Sequence, residues 1–331
     1  MNNPIAVCAG PIVIYWSAII ISLGLLAALF MTLSMQATCK ERSAAVFVLL
    51  PLVIVLSVPL CRLIHWYCHS EQYDGLIRAL TDYSIGSYVL PGACLGAWLA
   101  ALICSKLRLC SGAAKLLDAF APGAALAVAF IRLSALFNNS CRSKISVHTP
   151  ALQQLPIGSA ITNSAGALEY RFATFFVQFI MMLVITYMLL RFFLRRRNIP
   201  MKSGRSEGST ARMFLLFYCA CELLMDSTRY DSSFMHFNSF VSIVQMISAV
   251  SILGLLIYYS IHSIRANGMR YYHWLLWIGY FLTLGGTGVS EYLVQRHGNW
   301  YLGCYAAMSF CCIMMAVTVW LMYKSCCVKE E

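Results

Sequence analysis

Apolar residues in this chain fall in long, nearly unbroken runs rather than in period-2 alternation or narrow helical stripes. Nine runs stand out, at roughly 12–35, 45–68, 85–105, 116–137, 170–194, 211–228, 239–262, 273–292 and 300–323. Each approaches the ~20 apolar residues needed to cross a hydrocarbon core. Short polar segments separate them. A spanning backbone must satisfy its own hydrogen bonds, so the pattern predicts an all-α, polytopic integral membrane bundle of about nine transmembrane helices. Gly92, Gly96 and Gly123 fall inside runs, where a missing side chain lets two helices approach closely. No internal repeat of the kind that builds inverted transporter halves is present.

Composition sharpens this picture. Of 331 residues, 60% are hydrophobic and 11% charged, and the mean hydropathy is +0.72. Soluble domains run at about 45–50% apolar and about 25% charged. The contrast excludes a soluble enzyme, a disordered chain and a secreted disulfide scaffold. The net charge of +11 is unevenly placed. Sixteen Lys and Arg lie at one set of run ends, most densely in 195–210 (Arg195, Arg196, Arg197, Lys202, Arg205), with Lys40 and Lys329 at the same face. Five lie at the other: Arg78, Arg142, Lys144, Arg229 and Arg296. The positive-inside bias predicts an outer N-terminus and a cytoplasmic C-terminus. It accounts for the basic excess without nucleic acid, though 195–210 would also attract anionic headgroups. Most of the 15 cysteines sit in apolar runs and show no paired zinc spacing, so they are expected to be free thiols acting as small hydrophobes.

Ionisable groups inside apolar runs are costly and mark functional candidates. Arg62 lies near the outer end of the second run, followed by His65 and His69 at i, i+4. That spacing is formally compatible with a metal, but interfacial histidines are the simpler reading, and no metal is expected. The fourth run carries Asp118 at its inner end and Arg132 in its outer third, with Asn138 and Asn139 at its mouth. A guanidinium suits bidentate phosphate binding. In the sixth run Tyr218, Glu222 and Asp226 follow i, i+4 spacing and Arg229 comes three later, so all four share one stripe that should face the bundle. Together these groups predict a polar pocket in the outer half of the membrane, able to hold a phospholipid headgroup. A purely structural lattice, with Arg62 and Arg132 neutralised by Glu222 and Asp226, is the competing reading. No catalytic triad, phosphate loop or metal motif is visible, so chemistry would be charge-stabilised group transfer without a cofactor. The polar stretch 138–169, the longest outer loop, is a candidate lid. Glu291 and Arg296, in the last outer hairpin, are expected to be solvated.

Several of these segments resemble a known family. The chain reads Gly10-Pro-Ile-Val-Ile-Tyr-Trp16 at its first run and Leu60-Cys-Arg62-Leu in its second. The fourth carries Ala121-Pro-Gly-Ala and then Ile131-Arg132-Leu-Ser-Ala-Leu-Phe-Asn138. The fifth opens Leu168-Glu-Tyr-Arg-Phe-Ala-Thr-Phe-Phe176. The sixth holds Leu216-Phe-Tyr218 and Asp226-Ser-Thr-Arg229-Tyr-Asp231, and Gln245 follows in the seventh. In order and spacing, 12–262 resembles prolipoprotein diacylglyceryl transferase. Departures are specific: the family's histidine before a glycine pair falls on Leu90-Pro91-Gly92, its asparagine after the arginine on Ala135, its sixth-span arginine on Glu222, and its Tyr-Glu on Phe176-Val177.

The resemblance implies a transferase core over 1–264, with 265–331 adding a transmembrane hairpin and a short tail. It implies transfer of a diacylglyceryl group from phosphatidylglycerol to a lipobox cysteine thiol of a prolipoprotein, in a bacterial plasma membrane. Arg62, Arg132, Arg229, Asn138 and Gln245 would then bind substrate, and Asp226, Tyr218 and Glu222 would serve the chemistry. A non-catalytic lipid- or lipopeptide-binding relative is the alternative, and a lipid or anion transporter a more remote one.

Overall fold

Each of the nine apolar runs is helical in the computed structural model, which describes residues 4–9, 12–39, 42–81, 89–138, 140–162, 167–197, 207–235, 238–298 and 300–326. Lys40, Asn139, Lys202, Arg205, Lys329 and most of 195–210 fall outside the described residues, or on their margins. The helices are α1 (Trp16–Thr38), α2 (Ala44–Cys68), the short α3 (Leu76–Thr81), α4 (Leu90–Lys106), α5 (Ala113–Ser134), the one-turn α6 (Pro150–Gln153), α7 (Thr174–Arg197), α8 (Ser209–Thr228), α9 (Ile243–Asn267), α10 (Tyr271–His297) and α11 (Tyr301–Cys326). Six of them, α1, α2, α5, α7, α9 and α11, are long and apolar enough to cross a membrane by length and composition alone. The 17-residue α4 is shorter. The other two, α8 and α10, carry acids turned inward: Glu222 and Glu291 are each 3% exposed and Asp226 1%. The chain is therefore an all-α, multi-pass membrane bundle.

The structure corrects where three runs begin. Residues preceding three helices form antiparallel hairpins instead of helix: β1 (Ile5–Ala9) pairs β2 (Ile12–Tyr15), β3 (Gly158–Thr162) pairs β4 (Leu168–Phe172), and β5 (Phe234–Met235) pairs β6 (Asn238–Ser242). Their β-branched and aromatic content suits an extended backbone. The first run thus starts as strand and becomes helix only at Trp16, whose N–H donates to Pro4 O at 3.0 Å. Residues 143–147 lie between β4 and the end of α8: Ser143 N–H donates to Phe172 O (3.2 Å), Lys144 N–H to Thr228 O (2.9 Å) and Val147 N–H to Tyr170 O (2.8 Å).

Helix α5 joins two cores. On one side Leu116 and Phe120 pack with Leu49 of α2 and Ala100, Ala101 and Cys104 of α4. On the other, Ala125, Val128 and Ala129 meet α7 to α11 through Leu189, Leu216, Leu256, Tyr280, Met308 and Met315. The three expected glycine contacts are present. A Cβ at Gly92 would lie 2.5 Å from Cys61 N, one at Gly96 2.4 Å from Ser57 Oγ, and one at Gly123 2.4 Å from Thr32 Oγ1. The outward faces are apolar, as in Phe30, Val55, Ile77, Leu282 and Phe310, which is what a hydrocarbon solvent requires. The fourteen cysteines among the described residues form no disulfide.

Asp118 fixes the start of α8. Its Oδ2 accepts from Gly208 N–H (2.8 Å), and its Oδ1 accepts from Thr210 and Ala211 N–H (2.7 and 3.0 Å). These are otherwise orphan donors of a buried helix end. Asp118→Ala should lower stability by about 2 kcal/mol, the sum of a lost cap and buried unpaired amides. Thermal unfolding in detergent reads this; an unchanged midpoint would refute the cap's importance.

Candidate functional site

The α8 stripe faces the bundle as its spacing predicts. Tyr218, Glu222 and Asp226 are all buried. Glu222 receives three donors. Its Oε1 pairs with Arg132 of α5 and accepts from Tyr218 OH at 2.9 Å, and its Oε2 accepts from Gln178 Nε2 of α7 at 2.8 Å. One helical turn nearer the end of α8, Asp226 accepts from Ser242 Oγ and lies 3.7 Å from Arg229 Nη1. Arg229 in turn forks onto Asp231, Nε to Oδ1 at 2.9 Å and Nη2 to Oδ2 at 3.0 Å. Burial acts to raise the Asp231 carboxyl, but the hydrogen bonds and charge of Arg229 prevail and hold it below the usual carboxylate range.

Cys141 links the two ion-pair groups. Its Sγ accepts from Arg132 Nη1 at 3.2 Å, and its N–H donates to Asp231 Oδ2 at 3.1 Å. Its backbone is left-handed, at φ 54°, an uncommon conformation for a residue with a side chain. The loop after α5 is thereby held against the end of α8.

Between α5, α7 and α8 lies a narrow crevice with room for about one water molecule. Arg132, Gln178, Tyr218 and Glu222 form its polar wall, and Val128, Met181, Met182, Cys221 and Met225 its apolar one. Gln178 is 4% exposed. With Nε2 committed to an acceptor-only carboxylate, the amide orientation is fixed, and Oε1 is left buried without a partner.

The structure thus brings together Arg132, Tyr218 and Glu222, and beside them Asp226 and Arg229. Of the expected lattice, the Arg132–Glu222 pair exists, whereas Asp226 is neutralised by Arg229. Arg62 is turned to the α2–α3 corner, where Nε donates to Ala79 O at 2.9 Å and the guanidinium lies over Tyr73. Asn138 is exposed, its Oδ1 accepting from Ser140 N–H at 3.0 Å in a local turn. Gln245 completes the capping box of α9: its Oε1 accepts from Ser242 N–H at 3.0 Å and its Nε2 donates to Leu223 O at 3.2 Å. That box holds Ser242 against Asp226, so Gln245 acts on the site through Ser242. His65 and His69 stack on each other, and His65 Nδ1 lies 2.9 Å from Tyr73 OH. Among the described residues no cluster of three metal-ligating groups forms around them.

Two further expectations change. Glu291 is buried rather than solvated, with Oε1 accepting from Gln295 Nε2 at 2.8 Å; Arg296 is exposed. Sequence reasoning also passed over Gln178, Cys141 and Ser242. A lone amide in an otherwise apolar run was the signal for Gln178; the other two enter only through the loops that deliver them.

A family model described as prolipoprotein diacylglyceryl transferase matches residues 4–261. No curated protein matches the chain. The match ends within α9, so α10 and α11 lie outside it.

Proposed function

The chain belongs to the prolipoprotein diacylglyceryl transferase family, and we propose that it moves a diacylglyceryl group from phosphatidylglycerol, or a related anionic phospholipid, to a lipobox cysteine thiol at the outer face of a bacterial plasma membrane. The family supports a transferase of lipoprotein biosynthesis. The observation that carries the specific reading is the buried cluster at the crevice between α5, α7 and α8, where Arg132, Tyr218 and Gln178 surround Glu222 beside Met181, Met182 and Met225. A lipid calls for that combination of polar groups and adaptable methionines, and the crevice must widen along its methionine side to admit one.

In the transfer, the thiol sulfur bonds to the glycerol carbon, the carbon–oxygen bond to phosphate breaks, and the electron pair leaves on the phosphate. Arg132 and Arg229 supply cationic hydrogen-bond donors for that charge. Each already has a carboxylate partner, so the phosphate competes with Glu222 or with Asp226 and Asp231. Glu222 already receives three donors, so both of its carboxylate oxygens are occupied. That saturation favours the second reading, a lipid-binding relative without turnover. The deciding assay uses purified protein, labelled phosphatidylglycerol and a lipobox peptide. Release of glycerol phosphate with lipid gained on the peptide thiol supports the transferase; tight lipid binding with neither product supports the binding protein.

The orphan Gln178 Oε1 accepts but does not donate, so it suits a headgroup hydroxyl and disfavours a bare phosphate. Gln178→Leu should cut the preference for phosphatidylglycerol over phosphatidic acid by about tenfold, the scale of one buried hydrogen bond. Competition binding measures it; an unchanged ratio would remove Gln178 from headgroup recognition.

A further inference from the structure

The two arms of the Arg132 guanidinium have unequal partners. Nη2 is paired with the Glu222 carboxylate, whereas Nη1 donates to Cys141 Sγ at 3.2 Å. A carboxylate is a strong, charge-matched acceptor and a thiol sulfur a weak one, so one arm is held firmly and the other loosely. Arg229 is divided in a similar way. Its Nε and Nη2 fork onto Asp231 at 2.9 and 3.0 Å. Its Nη1 lies 3.7 Å from Asp226 Oδ1, beyond hydrogen-bond reach.

Cys141 stands between these groups. Its N–H donates at 3.1 Å to Asp231 Oδ2, the same oxygen that accepts from Arg229 Nη2, while its side chain reaches Arg132. Both guanidinium groups are close enough to the sulfur, and to each other, for their charges to interact. Glu222, Asp226 and Asp231 are the acids that hold the remaining arms. The residue is 6% exposed and keeps its left-handed backbone, φ 54°. A side chain held in that region costs energy, and such strain gathers where a group must be kept in one place.

We propose that Cys141 Sγ is a placeholder: in the free protein it occupies the position on Arg132 Nη1 that an oxygen of a phosphate ester takes when the lipid donor binds. The inference rests on the reading of Arg132 as a phosphate contact, and it applies equally to a lipid-binding relative without turnover. Of the acceptors an incoming phosphate meets on the two arginines, the sulfur is the weakest. Displacing it leaves Glu222 with all three of its donors, so no buried carboxylate is stranded. The exchange also selects its ligand. A phosphate oxygen bonds Nη1 far better than sulfur does, whereas an uncharged lipid oxygen gains little.

Cys141→Ala removes the sulfur and keeps the backbone N–H that bonds Asp231. It should tighten phosphatidylglycerol binding by about fivefold, the scale of one hydrogen bond no longer competed for, and leave diacylglycerol binding within about twofold of the parent. A residue that merely orients Arg132 predicts the opposite sign, so unchanged or weaker phosphatidylglycerol binding would overturn the placeholder. Glycerol phosphate separates the two sources of phosphate. Tightening for both ligands is the expected result; tightening for glycerol phosphate alone would assign the position to a free phosphate ester and overturn the donor's use of it. Arg132→Met with Glu222→Gln removes the cation without stranding a charge. In that background Cys141→Ala should have no further effect, and a gain that persists there would overturn the proposal. If the double variant itself binds phosphatidylglycerol as tightly as the parent, the phosphate role of Arg132 fails and the placeholder falls with it. If it loses binding while Cys141→Ala gains none, the placeholder alone fails. A last measurement needs no altered chain. Infrared difference spectra in the S–H stretching region, recorded on adding phosphatidylglycerol to the parent, should show a thiol leaving its hydrogen bond; an unchanged spectrum would overturn displacement.

Discussion

Arg132→Ala is expected to abolish transfer, lowering turnover by about 10³ or more, because in the proposed reaction this cation meets the charge developing on phosphate. The same change leaves Glu222 buried with only Tyr218 and Gln178 as partners. An unpaired buried carboxylate costs about 3–5 kcal/mol, so a loss of activity alone would not distinguish chemistry from unfolding. The pair must be balanced. In Arg132→Met with Glu222→Gln, no charge is stranded, and the new amide can still hydrogen-bond Tyr218. The double variant should recover most of the thermal stability lost in Arg132→Ala, since replacing a whole buried ion pair is often neutral. Its transfer activity should stay lost. Turnover that returns with stability would mean the pair serves packing, and turnover within tenfold of the parent in Arg132→Ala would remove the arginine from the reaction.

The parts of this molecule legible in its sequence are those fixed by one physical demand at a time. A hydrocarbon solvent forces apolar runs to become helices, so the nine long helices among the described residues could be placed. The 3.6-residue period puts Tyr218, Glu222 and Asp226 on one stripe, and the cost of charge in lipid turns that stripe inward. Gly92, Gly96 and Gly123 were readable for a similar reason: an absent Cβ inside a span has few uses other than close approach. Features that depend on which segments meet were not readable. Ile12–Tyr15, Leu168–Phe172 and Asn238–Ser242 merged into the apolar runs they precede, because a β-branched residue at a membrane edge suits helix or hairpin equally well until a partner strand is known. One partner of Arg62 is a carbonyl on α3, a short helix that hydropathy does not reveal. Glu291 looked like an interfacial charge because position along a run says how deep a residue sits, whereas the tertiary fold decides which way it faces.

The same distinction shapes the second large effect. Asp226→Asn preserves the side chain's shape and can still accept from Ser242 Oγ, so the capping box of Ser242 and Gln245 should survive. Arg229 keeps its two hydrogen bonds to Asp231 and stays oriented. Phosphatidylglycerol affinity should therefore remain within a few fold of the parent. Turnover should nevertheless fall by about 10²-fold. A neutral amide at this position cannot compensate the charge that forms nearby as the thiol proton is taken up, nor can it accept a proton itself. An effect confined to turnover with binding intact is the mark of an interaction made in the transition state. If Asp226→Asn instead unfolds the protein, the acid is a structural counterion for Arg229, and the buried charges at this end of α8 form the packing lattice rather than the working site. Measuring affinity, turnover and unfolding midpoint on one preparation separates these outcomes, because only the catalytic role predicts that the second changes while the first and third hold.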